Sequence, residues 1–361
     1  MKNSEIANLR LYNQGLFENI FKDPVDAVAQ LGAVQAQDYA GAKWALGQRL
    51  VNHTDASIEK EFNEGKLLRT HILRPTWHFV TPADIHWMLL ISTARVHAIN
   101  AHYYRKAGLD SATAKRTNTI ITKALRGGNQ LTRTEIASLL EKAGVPADGE
   151  LRMTLIMMRA ELDGVICSGA RRGKQFAYAL LSERAPQVKV WTREEALTEL
   201  MKRYFTTRGP ATLQDFTWWS GQTMADAKNG METVKSGFAS ESINGQTFWF
   251  REIKPKNGKK TFTAHLLPNF DEYFIGFKDR SAIWEVAQKV NIADDNPTLI
   301  GNIIVLNGQV VGGWKRTFKK ETVAIELRPI IKLTKNEKEA VELASEKFGN
   351  FLGMSSTITW K

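Results

Sequence analysis

The chain has 361 residues, 43% of them hydrophobic and 24% charged, which describes a folded protein long enough for two to four cores at roughly 100–200 residues per domain. Forty-nine Lys and Arg against 38 Asp and Glu leave a net charge of +11, so a partner with dispersed negative charge is expected, nucleic acid ahead of membrane. One cysteine, Cys167, excludes an internal disulfide and any multi-cysteine zinc or iron–sulfur site. MKNSEIANLR lacks the apolar core of a signal peptide, and no stretch approaches the roughly 20 apolar residues of a membrane span. A cytoplasmic, nucleoid-associated bacterial location is the expectation.

In chain order, DPVDAVAQLGAVQAQ and SIEKEFNEGKLL read as helices, and RTHILRPTWHFV reads as strand-like around Pro75. LTRTEIASLLEKAGV opens with a Thr132/Glu135 capping box, and ELRMTLIMMRAELDGV is a second amphipathic helix. DGVICSG, the basic turn ARRGKQ and FAYALL then read as strand, turn and strand. TREEALTELMKRYFTT, GPATLQDFTWWSG and TMADAKNGMETVKSG read as three helices. ESINGQTFWFREI and TFTAHLL follow as strands around the basic turn KPKNGKK. Helices followed by a two-stranded ribbon make the winged-helix unit.

Beyond residue 262 the strands HLLPNFDEYFIGF, LIGNIIVL, VVGGWKRTF and TVAIELRPI dominate, with Asn307-Gly308 as a hairpin turn and KNEKEAVELASEKFGNFLG as a closing helix. The predicted fold is α+β: three tandem winged-helix (helix-turn-helix) domains over 1–110, 111–188 and 189–261, then a β-rich domain over 262–361. No heptad run is present, and a monomer is expected.

The basic turns are the first candidates for phosphate contact: Arg171, Arg172 and Lys174; Lys254, Lys256, Lys259 and Lys260; and Lys315, Arg316, Lys319 and Lys320. Lysine-protected hairpin edges are the bland alternative. LGAVQAQDYAG carries the most unusual local pattern. Gln35 and Gln37 converge only if the helix ends beside them, which Asp38, Tyr39 and Gly41 make plausible. Paired amides can hold a water and stabilise a developing cation, yet they are poor bases. They suit a reaction whose leaving group is already activated, such as hydrolysis of the N-glycosidic bond to a cationic, N-alkylated purine.

His71 and His78 fall on opposite faces of one strand, so a shared metal is not expected, and either can serve as active-site support. Arg69 and Arg74 can hold phosphates or brace the sheet. Trp218-Trp219 reads as core. Asp271 and Glu272 read as turn or ion-pair residues, with acid/base chemistry as the alternative. Phosphate loops, dinucleotide fingerprints, H-E-x-x-H and G-x-S-x-G are absent from the sequence.

Gln35-Ala36-Gln37, taken with LRPTWHFV, AELDGVICSG-ARRGKQ, RYFTTRGPATLQDFTWWSG and LLPNFDEYFIGF, resembles the winged-helix DNA glycosylases of the AlkZ and YcaQ type over essentially the whole chain. The resemblance implies three winged helices with a C-terminal β-barrel-like domain around a basic channel. It also implies excision of alkylated bases, including N7-alkylpurines and crosslinked bases. The family's Gln–hydrophobic–Gln motif falls on Gln35, Ala36 and Gln37, which places the chain nearer the AlkZ-like branch. Pro75 stands where many members have glycine.

On that basis Gln35 and Gln37 are the expected catalytic residues of a monofunctional enzyme acting on damaged double-stranded DNA, with Asp38, His71 and His78 in support. No metal or cofactor is expected, and no lysine nucleophile is evident. The competing reading is a non-catalytic winged-helix DNA-binding protein or regulator. A small-molecule enzyme built on Asp271 and Glu272 is a third.

Overall fold

The computed structural model of the chain describes residues 1–252, 263–292 and 301–361. Helices and strands mix along its length, and one order of elements recurs three times. The first copy runs through helix Pro24–Leu31, short strand Val34–Gln35, helices Tyr39–Gln48 and Asp55–Asn63, and hairpin strands Leu68–Ile72 and Thr76–Val80. The second has helix Ser111–Leu125, strand Leu131–Thr132, helices Arg133–Lys142 and Glu150–Leu162, and strands Ile166–Arg172 and Gln175–Leu180. In the third, helix Arg193–Arg208 precedes helices Leu213–Ser220 and Met224–Val234 and strands Ala239–Ile243 and Gln246–Phe250.

The pairing repeats as well as the order. In the first two copies the short strand lies antiparallel on the second hairpin strand, with Gln35 opposite His78 and Thr132 opposite Ala177. In the third a single bridge, Ala211 to Trp249, takes its place. Capping boxes at Thr132/Glu135, Thr192/Glu195, Thr212/Asp215 and Thr223/Asp226 start the helices by satisfying first-turn N–H groups.

Three expectations need correction. RTHILRPTWHFV is a hairpin, turned at Leu73 with φ 61°, rather than one strand. KPKNGKK lies outside the described residues, and it does not join the strands of the third hairpin. That hairpin turns at Asn244-Gly245, both at positive φ, while Ala264–Leu267 joins the C-terminal sheet. HLLPNFDEYFIGF is strand only over Ala264–Leu267. Pro268 follows it, and Asp271 then caps a helical turn, Glu272–Ile275, by accepting the Tyr273 N–H.

The C-terminal sheet orders its strands Ser355–Trp360, Thr322–Pro329, Gln309–Phe318, Ile303–Leu306 and Ala264–Leu267. It is an open sheet and not a closed barrel, since its two end strands do not pair with each other among the described residues. Thr322–Pro329 and Ser355–Trp360 run parallel, so a crossover must join them; helix Lys335–Leu352 is that crossover and also covers the sheet.

Core packing divides the copies unequally. Val28, Leu46, Phe62 and Phe79 of the first share one core with Leu327, Val341, Phe348 and Phe351 of the C-terminal region. The contact is tight: a Cβ on Gly47 would collide with the Phe351 ring. On its other side the first copy meets the third, where Ile72, Leu73 and Met88 pack with Leu200, Tyr204, Phe216 and Trp219. The second copy keeps a core of its own, between Tyr104 and Leu180. Helix Ile85–Lys106 connects first and second copies, burying Ile85, Met88, Ser92, Val96, Asn100 and Tyr104 at three- and four-residue spacing.

Candidate active site

Helix Pro24–Leu31 ends at Gly32, whose φ of 81° stops the helix six residues before the end of the stretch DPVDAVAQLGAVQAQ read as helical. Val34–Gln35 is therefore extended, and the Ala36 N–H donates to the Trp77 carbonyl at 2.7 Å. Gln35 ends the short strand, and Gln37 sits two residues on in the bend that follows it. Helix Tyr39–Gln48 starts directly afterwards, with the Asp38 carboxylate accepting the Gly41 N–H at 3.0 Å.

Gln35 is 7% exposed and held at both ends. Its backbone N–H donates to Glu272 Oε1 at 2.8 Å, and its side-chain Oε1 accepts from Arg74 Nη2 at 2.7 Å. Gln37 is exposed, with its Oε1 accepting the Trp77 N–H at 3.4 Å. Glu272 is buried beneath them, its Oε2 accepting from Arg208 Nη2 at 2.7 Å and Trp219 Nε1 at 2.8 Å. Arg208 also donates to the carbonyls of Leu31 at 2.7 Å and Ala33 at 3.2 Å, so one buried ion pair fixes the whole turn from Leu31 to Gln35.

The other predicted residues distribute around this turn. Arg74 reaches from the hairpin turn, its Nη1 3.4 Å from the Trp218 carbonyl, and burial lowers its pKa from the ordinary value. Trp219 is core, whereas the neighbouring Trp218 indole is 46% exposed. His78, fully buried opposite Gln35, donates Nδ1–H to the Thr76 carbonyl at 3.0 Å. Burial, with Arg74 beside it, holds the imidazole well below its ordinary pKa, so the ring stays neutral. His71 lies on the other face, against Trp77 and hydrogen-bonded to the buried Glu161. Among the described residues no three His, Cys, Asp or Glu side chains gather as metal ligands.

Arg69, considered for phosphate contact, is only 7% exposed. Its Nε donates to the Ala36 carbonyl at 3.0 Å and its guanidinium lies 4.2 Å and 4.4 Å from the Trp77 and Phe176 ring centres, where burial lowers its pKa to about 10. It braces the Gln-Ala-Gln segment from behind. Asp38 combines its capping role with Arg316 Nη2 at 3.3 Å. Arg171 stacks over Phe176 and sits 3.7 Å from Glu59, and Arg172 pairs with Glu135 at 3.0 Å. Lys174, Lys315, Lys319 and Lys320 are exposed, while Lys254, Lys256, Lys259 and Lys260 lie outside the described residues.

Sequence reasoning missed the link from Glu272 and Arg208 to Gln35. It weighed Asp271 and Glu272 for acid/base chemistry, but each is 1% exposed and spent, Asp271 in a two-pronged pair with Arg49 at 2.8 Å. No free carboxylate therefore faces the paired amides among the described residues. Each carbonyl oxygen has two lone pairs and each amide two N–H donors, so Gln35 retains capacity for a water after Arg74 is bound.

A family model described as DNA glycosylase AlkZ-like matches residues 28–351. The curated interstrand DNA cross-link repair glycosylase of Streptomyces sahachiroi is 22% identical over 302 residues, covering 80% of this chain and 81% of the relative. The solved structure of Streptomyces sahachiroi DNA glycosylase AlkZ superposes with a TM-score of 0.79 at 18% identity, over 99% of this chain and 100% of that one, a likeness of fold.

Proposed function

The chain belongs to the AlkZ-like DNA glycosylase family and is an enzyme acting on DNA, and from this we propose that it is a monofunctional glycosylase for alkylated bases, N7-alkylpurines or crosslinked ones, with Gln35 and Gln37 as its catalytic residues. The observation that carries the reading is the pair of amides, Gln35 on a clamped short strand and Gln37 on the bend after it, with no free carboxylate beside them among the described residues. A cationic N7-alkylpurine leaves without protonation. Its C1′–N9 electron pair neutralises the ring as a water oxygen bonds to C1′ and releases its proton to solvent. The amide carbonyls hold that water and stabilise the cationic sugar by their dipoles, which are already fixed before reaction.

We read each repeat as a winged-helix unit, with bounds 1–110, 111–188 and 189–261 before the C-terminal region 262–361. The short strand on the second hairpin strand supports that reading in the first two copies, and the Ala211–Trp249 bridge supports it in the third. The exposed Lys174 and Lys315, with Lys256, Lys259, Lys260, Arg171, Arg172 and Arg316, are the proposed phosphate contacts of the turns, and the working form is a monomer on damaged duplex DNA.

The deciding experiment is base release from duplexes carrying N7-methylguanine or a nitrogen-mustard crosslink, read as alkali-labile sites. Release by the wild type that collapses in Gln35→Ala and Gln37→Ala, with DNA binding retained, is the expected result. No release from either substrate, with tight binding to one undamaged sequence, would hand the chain to the regulator reading.

A further inference from the structure

A second concentration of positive charge lies outside the basic turns. Between His86 and Leu131 the sequence holds Arg95, Arg105, Lys106, Lys115, Arg116, Lys123 and Arg126 against a single acid, Asp110. Seven cations less one acid leave +6, over half of the chain's +11 in 46 residues. All seven are exposed, and among the described residues none forms an ion pair with a carboxylate. The turn arginines differ: Arg171, Arg172 and Arg316 each have an acidic partner.

Helical spacing orders these cations into stripes. Arg95, Ile99, His102, Tyr103 and Lys106 fall on one exposed face of helix Ile85–Lys106, with Ile99 and Tyr103 each about half exposed. On helix Ser111–Leu125 and its C-cap, Ser111, Lys115, Thr119, Thr122 and Arg126 follow the same period and line one groove, whose carboxylate, Asp163, is engaged by His97, Asn118 and Arg159. Cations and hydroxyls suit phosphate oxygens, and a flat aromatic beside them suits deoxyribose. The stripe starts near the candidate active site. Ser92 Oγ accepts the Leu73 N–H at 2.8 Å, one residue from Arg74. At about 1.5 Å per helical residue, Arg95 to Arg105 lie about 5 to about 20 Å beyond that anchor, up to about six base steps of duplex.

We infer that the exposed face of helices Ile85–Lys106 and Ser111–Leu125 is a DNA-backbone surface separate from the basic turns, gripping the duplex to one side of the lesion. The inference rests on the glycosylase reading for its partner and adds where that partner lies.

The test uses the full chain with Arg95, Arg105, Lys106, Lys115, Lys123 and Arg126 changed together to Ala. Arg116 is kept because it also bonds the Ala143 carbonyl. Binding to a 25-base-pair undamaged duplex is followed by fluorescence anisotropy across a salt series, and single-turnover base release is measured at saturating N7-methylguanine duplex. Each lost phosphate contact removes about 0.9 from the slope of log K against log salt. We expect the slope to fall by about 3–5 and binding in 0.1 M salt to weaken at least about 30-fold, with the saturated release rate within about twofold of wild type. A variant exchanging each Lys for Arg and each Arg for Lys keeps the wild-type slope, which separates charge from folding.

An unchanged slope in the Ala variant overturns the inference, as does loss of binding to phosphatidylserine vesicles or to RNA with duplex binding intact. A wild type that binds duplex through this face yet releases no base sinks the glycosylase reading and leaves the surface standing.

Discussion

The first and second copies of the repeat share a strand order and differ by three residues between the short strand and the cap of the next helix. In the second, Thr132 is both the last paired residue of the short strand and the cap of the next helix. In the first, the last paired residue is Gln35 and the cap is Asp38, which leaves Ala36 and Gln37 between strand and helix. The second copy is thereby an ordinary packed unit with its own core, while the first displays two amides and borrows support from both neighbours. A scaffold element becomes a site here by delaying a helix by one turn's start. The borrowed carboxylate and guanidinium hold the delay in place.

The largest test of that contrast is removal of the borrowed support. Glu272→Ala leaves Arg208 buried and unpaired and is expected to cost about 3–5 kcal/mol in chemical denaturation; a cost near zero would mean that the first copy holds its turn unaided. Next come the amides themselves. Gln35→Ala and Gln37→Ala are each expected to lower single-turnover base release about 10²–10³-fold without change in melting temperature, the range seen for one lost preorganised dipole.

Acid should separate the copies at a smaller scale. Residues 111–188 contain no histidine, whereas buried His265 in the C-terminal sheet is pushed down to about 3 by burial, with Lys347 and Arg49 adding to it. Unfolded, it titrates near 6.5, so the unfolded chain binds the extra proton. This contribution is complete above about pH 6.5 and fades as pH falls toward about 3, by about 2 kcal/mol at pH 5. Hydrogen exchange at pH 5 should loosen the C-terminal sheet before the second copy, and His265→Gln should flatten the dependence. Equal loosening in both would break the comparison. The smallest effect belongs to Thr132→Ala, a lost cap worth about 1 kcal/mol that should leave the release rate untouched.

Much of this arrangement was legible because short-range chemistry announces itself. Thr132/Glu135 and Asn307-Gly308 mark a helix start and a hairpin from a few residues. The Gln pair stood out for the same reason, and Gly32 supplies the helix end that its convergence needs. Helix Ile85–Lys106 was missed because Ser92 and Asn100 occupy its buried stripe and blur the apolar period. Strand Ser355–Trp360 was missed because Ser and Thr alternate with only Ile358 and Trp360 as large apolar groups. Arg69 looked like a phosphate ligand because sequence carries charge and not burial; only the fold brings Trp77 and Phe176 over it. The Glu272–Gln35 bond spans 237 residues and has no local signal.

That bond also sets when the enzyme can exist. A chain still on the ribosome makes Gln35 and Gln37 early, but the carboxylate that fixes them is added only in the last quarter of synthesis. A product stopped short of Glu272 carries the amides on an unanchored turn, so a truncated copy should bind DNA through its helices and release no base. For an enzyme acting on DNA, completeness of the chain then acts as the licence to react.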